Sequence, residues 1–291
     1  MGVAVGEHVG AVDPGDLARP PPHIARQPGV PERTSDENFS LIAEAGYVGV
    51  CLDPGISEIE EMLALKPCFA RYGLECMMNV FPNEVTELAP LLELADEMDA
   101  RLVNIIGGVM PIEVADAVPL VYRWLDDASR FAFPVLFETH RNGLLNDLYY
   151  TLQLIEKVPE MRLCADLSHF VVDRELVLPL QSRDEQHFEQ ILDRSDSFQG
   201  RISSREQIQV QLDFPQHRKW VETFTNWWKY GMQQWCRRSP ADARLIFLCE
   251  LGPPSYAITD ADGKELSDRW HEALEIRSRV QGIWQEIHTK T

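Results

Sequence analysis

The chain has 291 residues, 45% of them hydrophobic, with 27 basic against 46 acidic side chains and a formal net charge of −19. That apolar content can bury a substantial core, which excludes wholesale disorder, and the length suits one large α/β barrel or two small domains. A pI near 4.8 opposes nucleic acid through long-range repulsion of phosphates, but leaves room for a small anion held by local arginines.

Short apolar runs alternate with longer amphipathic segments from end to end. The expected strands are residues 3–5, 47–53, 74–80, 102–108, 134–140, 161–167, 197–202 and 245–251. Helical patterns fall between them at 36–46, 57–71, 84–99, 112–131, 145–157, 216–235 and 264–288. Helix starts are signalled by Ser35 and Asp36, by Ser57 with Glu60 three residues on, and by Asn83 after Pro82. The strands are apolar throughout, not alternating, so they are expected to be buried on both faces of a parallel sheet. Eight strands alternating with helices predict a single closed (β/α)8 barrel over residues 1–291, with an open doubly wound sheet as the alternative. The Pro- and Gly-rich stretch 13–31 reads as a long loop after strand one, and the polar stretch 170–197 as a second one after strand six.

Six cysteines (Cys51, Cys68, Cys76, Cys164, Cys236, Cys249) are scattered without C-x-x-C pairs, several of them inside apolar runs. They read as reduced core thiols of a cytoplasmic protein. No run approaches the roughly 20 apolar residues of a membrane span, and no basic region leads into an apolar stretch as in a secretory signal. Membrane association is therefore not expected.

Reactive side chains of such a barrel project from the C-terminal ends of its strands. Strand five ends in Glu138-Thr139-His140-Arg141, strand six in Asp166-Leu167-Ser168-His169, and strand eight in Glu250; strand seven carries Gln199. Three carboxylates and an amide on four consecutive strands repel one another unless a cation neutralises them, and an oxygen-rich set favours Mg²⁺ or Mn²⁺. Taken singly, Glu138 or Glu250 reads as a salt-bridge partner, Asp166 as a helix cap and His169 as a core histidine. The segment 201–220, with Arg201, Arg205, Gln207, Gln209, His217 and Arg218, reads either as a solvated loop or as a wall contacting substrate. Trp220, Trp227, Trp228 and Trp235 have helical spacing and read as packing or subunit-interface surface.

The ordered motifs FETH, ADLSH and CELGPP resemble the xylose-isomerase-like barrel superfamily, over roughly residues 36–288. That group includes sugar and sugar-phosphate isomerases and epimerases, 3-dehydroshikimate dehydratases and C-glycoside deglycosidase subunits. The resemblance implies one divalent ion, Mn²⁺ or Mg²⁺, on Glu138, Asp166, Gln199 and Glu250. It also implies substrate contacts from His169 and Arg205, and the strand-four run NIIGG beginning at Asn104 is similar to the family's, which adds Asn104; His140, two residues after Glu138, is a further contact. The base would be Glu138 or Glu250 by likeness to the epimerases, or His169 by likeness to the dehydratases. Gln199 stands where the epimerases have His, as in the dehydratases, and Leu144 where epimerases often have Glu. The expected activity is proton abstraction beside a metal-polarised carbonyl of a small polyhydroxy compound. The alternatives are a metal-dependent lyase or a non-catalytic barrel completed by a partner subunit, and a homo-oligomer is also open.

Overall fold

The computed structural model describes residues 9–12, 34–252, 256 and 258–289. Eight parallel strands close on themselves in sequence order. They are β1 (Val9–Val12), β2 (Gly49–Leu52), β3 (Glu75–Val80), β4 (Val103–Ile105), β5 (Val135–Glu138), β6 (Leu163–Ala165), β7 (Ser195–Gln199) and β8 (Ile246–Cys249). Closure is made by β1 pairing with β8, Val9 opposite Phe247 and Val12 opposite Cys249. The molecule is a (β/α)8 TIM barrel, as the alternation of elements predicts.

The helices are α1 (Ser35–Glu44), α2 (Ile59–Leu63), α3 (Lys66–Tyr72), α4 (Leu88–Glu97), α5 (Val114–Ala128), α6 (Leu148–Lys157), α7 (Leu167–Asp173), α8 (Ser182–Leu192), α9 (Arg218–Arg238) and α10 (Arg269–Thr289). Helix α1 starts one residue earlier than its pattern suggests because Thr34 and Glu37 form a reciprocal capping box. The patterned stretch 57–71 is broken at Ala64 and Leu65 into α2 and α3.

Three expectations need correction. The first strand is Val9–Val12, and residues 3–5, like the expected loop at 13–31, lie outside the described residues. The stretch 170–197 is not a long loop: it holds the end of α7, all of α8 and the start of β7. Helix α8 is mostly polar and buries only Phe188, Ile191 and Leu192, so its apolar signal is thin. Strand β7 begins two residues earlier than expected because its polar residues find hydrogen-bond and ion-pair partners. Ser195 Oγ donates to Ile191 O (2.8 Å), Ser197 Oγ to Ile246 O (2.9 Å), and Arg162 forks onto Asp196 at 2.7 and 2.9 Å.

Outside the sheet, α9 lays Trp220, Val221, Phe224, Trp227, Trp228, Met232 and Trp235 into the core. Trp228 meets Phe247 edge-on at 5.2 Å. Its tryptophans are thus barrel packing. A smaller set inside the barrel (Cys51, Met77, Leu102, Leu136, Cys164 and Leu248) fills the interior beneath the strand ends. A cavity of about 520 Å³ at the opposite, N-terminal end is lined by Gly49, Glu75, Arg101, Pro134 and Arg244, away from every carboxylate discussed below.

Candidate metal centre

Barrel register sets the height of each side chain. Glu138 pairs with Cys164 and Gln199 with Leu248, so Glu138 and Gln199 end β5 and β7, while Asp166 and Glu250 directly follow the last residues of β6 and β8. Asp166 follows directly on β6 and caps α7, Oδ1 accepting from Ser168 N (2.9 Å) and Ser168 Oγ (2.5 Å). Thr139 Oγ1 donates to Asp166 O at 2.8 Å, tying the ends of β5 and β6 together. One ligand atom from each of Glu138, Asp166 and Glu250 lies within 4.8 Å of the others. Gln199 Nε2 donates to Glu138 Oε2. The structure therefore brings together all four residues singled out at the strand ends.

Three of these four residues have one polar atom tied and another bare. Asp166 Oδ1 is held by Ser168, Gln199 Nε2 by Glu138, and Glu250 Oε1 accepts from Arg201 Nη2. Asp166 Oδ2, Gln199 Oε1 and Glu250 Oε2 are buried and make no hydrogen bond. Buried oxygens without donors cost free energy unless something else meets them. Burial, and then the charge of Asp166, push the Glu138 carboxyl well above its ordinary range, and burial raises Asp166 as well. Crowded, desolvated acids with bare oxygens suit a hard divalent cation.

His169 is buried, with neither ring nitrogen hydrogen-bonded; its Nε2 is 3.3 Å from Asp166 Oδ2, outside hydrogen-bonding geometry. Its ring sits 4.1 Å, centre to centre, from that of His140. Burial, helped by the Arg201 and Arg141 charges, holds His140 neutral down to about 4, and burial with the neighbouring His140 pushes His169 well below its ordinary value. Glu138, His140 and His169 also have ligand atoms within 4.8 Å of one another. However, Asn142 N donates to His140 Nδ1 at 3.1 Å. That bond puts the proton of the neutral ring on Nε2, making His140 a donor and this second set the poorer metal site.

Two expected substrate contacts are not brought to the mouth. Arg205 is turned outward into ion pairs with Glu175 (3.3 Å) and Glu206 (2.7 Å). Asn104 stands opposite Leu136, two residues below Glu138, and donates to Asn79 at 3.0 Å inside the barrel. The guanidinium in the mouth belongs instead to Arg201, 3% exposed, bonded to Glu250, 3.6 Å from Asp166 Oδ2 and 5.1 Å from the Tyr256 ring centre. A signal for it was available, because Arg201 is two residues beyond Gln199 and an extended chain sends both to one side. The stretch after β7 is no solvated loop: Ile202, Ser203, Gln209 and Gln211 are buried. Gln209 clamps Gly252, its Oε1 accepting from Gly252 N at 2.6 Å.

No protein-family model matches the chain, and no curated protein matches it. Solved structures do. D-allulose 3-epimerase from Methylomonas sp. in complex with D-allulose superposes with a TM-score of 0.57 at 12% identity, covering 96% of each chain. A second structure of that enzyme gives 0.58 at 13% identity, covering 96% of this chain and 97% of the other. A tri-modular GH5 endo-β-1,4-glucanase from Bacillus licheniformis gives 0.54 at 11% identity, covering 97% of this chain and 60% of that one. These likenesses establish the fold. Activity must be argued from the site.

Proposed function

We propose that this protein is a divalent-metal-dependent isomerase or epimerase of the xylose-isomerase-like kind, acting on a small polyhydroxy carbonyl compound. The observation that carries the reading is the set of bare, buried oxygens on Asp166, Gln199 and Glu250 beside Glu138, each ligand steadied through its other polar atom. Those four residues would hold Mn²⁺ or Mg²⁺. When bound, such an ion polarises a substrate carbonyl and stabilises the charge left by proton removal.

The remaining steps belong to the chain itself. His169, neutral and with both nitrogens bare, accepts a proton from the carbon beside the carbonyl at a ring nitrogen. Glu138 and Glu250 are the alternative bases of the epimerase pattern. His140 donates its Nε2–H to a substrate oxygen, in the orientation fixed by Asn142. Gln199 in the strand-seven position, together with a bare His169, favours a metal-dependent lyase as the second reading: the same proton removal followed by loss of hydroxide. Six scattered cysteines, four of them buried, suit a reducing, cytoplasmic setting, and among the described residues no helix is long and apolar enough to cross a membrane. A homo-oligomer or a partner subunit would complete the mouth if the barrel alone proves inactive.

Elemental analysis of the purified protein, followed by a panel of ketoses, aldoses and dehydratable hydroxy-ketones, tests the reading. One bound divalent ion per chain and epimerised or isomerised product are expected. Turnover unaffected by chelation, or no binding of Mn²⁺ or Mg²⁺, would overturn it.

A further inference from the structure

The reading above leaves Arg201 without a role, although it is the most deeply buried guanidinium at the mouth. Its Nη2 donates to Glu250 Oε1 and its Nη1 lies 3.6 Å from Asp166 Oδ2, while the Tyr256 ring lies 5.1 Å from its central carbon. We propose that Arg201 is the positioning and charge-setting residue of the cation site: it cancels one of the three carboxylate charges and holds Glu250 so that Oε2 alone faces the ion. This rests on the metal-site reading.

The argument is one of charge and reach. Ionised around a cation, Glu138, Asp166 and Glu250, whose ligand atoms lie within 4.8 Å of one another, bring three negative charges, and the guanidinium brings one positive charge. The remainder matches a single divalent cation. Without Arg201 the same oxygens would present a charge suited to a trivalent ion, and Glu250 would be free to rotate or to bind through both oxygens. Arg201 hydrogen-bonds none of the bare oxygens, its Nη1 staying 3.6 Å from Asp166 Oδ2. It bonds Oε1 of Glu250, whereas Oε2 is the bare one, and Asp166 Oδ2 remains without a hydrogen bond. The chain enforces this placement. Gly200 lets the backbone cross close over β8, where a Cβ would meet Phe247 Cε1 at 2.5 Å and Leu248 O at 3.0 Å, and Arg201 follows directly.

The test compares Mn²⁺ and Tb³⁺ binding to the wild type, Arg201→Gln and Arg201→Lys by calorimetric titration, beside melting curves of the metal-free forms. Arg201→Gln should raise the ratio of Tb³⁺ to Mn²⁺ affinity by at least about tenfold, as expected for unmasking one charge a few ångströms from the ion. Arg201→Lys, which keeps the charge, should stay within about threefold of the wild-type ratio. An unchanged ratio in Arg201→Gln overturns the proposal. Should that variant fold only with metal, displacement of bound Mn²⁺ by Tb³⁺ yields the same ratio. A crystal structure of the wild type loaded with Mn²⁺ tests the idea without any variant: Arg201 should remain on Glu250 Oε1 with the ion on Oε2, and a guanidinium that has left Glu250 overturns it. If the wild type binds neither ion, the metal-site reading itself fails, which is a different result from an unchanged ratio.

Discussion

Ser168 shows how much one small side chain does at this site. Its hydroxyl and backbone N–H both hold Asp166 Oδ1, at 2.5 and 2.9 Å, leaving Oδ2 aimed at the mouth. Ser168→Ala removes one of the two donors and lets the carboxylate rotate, so Mn²⁺ affinity should fall about tenfold, the low end for a lost partner of a metal ligand; calorimetric titration measures it. Asp166→Ala should abolish stoichiometric metal binding. His169→Ala should keep the metal, because the ring is not needed to complete the oxygen set, yet lower turnover by about 10²–10⁴-fold as a lost general base does. Full activity per folded molecule in that variant would move the base to Glu138 or Glu250.

Among the elements, α9 is the one whose packing decides most. Gly231 lies in its middle, and a Cβ there would meet Phe198 Cε1 at 2.5 Å, Phe198 Cζ at 2.8 Å and Leu192 Cδ2 at 3.0 Å. An exposed helix would gain about 1 kcal/mol from Gly→Ala. Here the methyl would be driven into β7, and overpacking costs about 1–3 kcal/mol, so the steric effect wins. Gly231→Ala should lower the melting temperature by a few degrees, and because Phe198 immediately precedes Gln199 on β7 it should also weaken Mn²⁺ binding. A higher melting temperature would show that α9 can shift away from the sheet without cost.

At the level of the whole molecule, the mouth couples stability to pH and to metal with opposite signs. His140 is held neutral from its ordinary 6.5 down to about 4, chiefly by burial, so its contribution is whole above pH 6.5 and is lost as pH falls toward 4. Glu138 is shifted the other way, by burial first and Asp166 second. Its contribution is present below the ordinary carboxyl value of 4.5 and is lost as pH rises through its raised folded value, where a buried charge must form. In chelator at pH 8, Glu138→Gln should therefore melt about 2–4 °C above the wild type, the shift expected for roughly 1 kcal/mol in a chain of this size. With saturating Mn²⁺ the order should reverse, since only the wild type gains from the ion. Melting curves in the two buffers check the crossing, and its absence would mean that Glu138 is not a ligand.

The closed barrel was legible from the alternation of apolar strands and amphipathic helices, because burying a parallel sheet on both faces demands that pattern. The four candidate ligands were legible for the same reason: a polar residue that ends a buried strand must emerge at the C-terminal mouth. What the sequence by itself determined was thus which residues stand at strand ends. Only the tertiary structure decided which of two nearby arginines enters the mouth, since Arg205 finds Glu175 and Glu206 on the rim while Arg201 finds Glu250 across the barrel. It also decided that Asn104 bonds Asn79 inside the barrel and that a mostly polar stretch forms α8 and β7. Those outcomes rest on hydrogen bonds and ion pairs between residues distant in the chain, and no local periodicity encodes them.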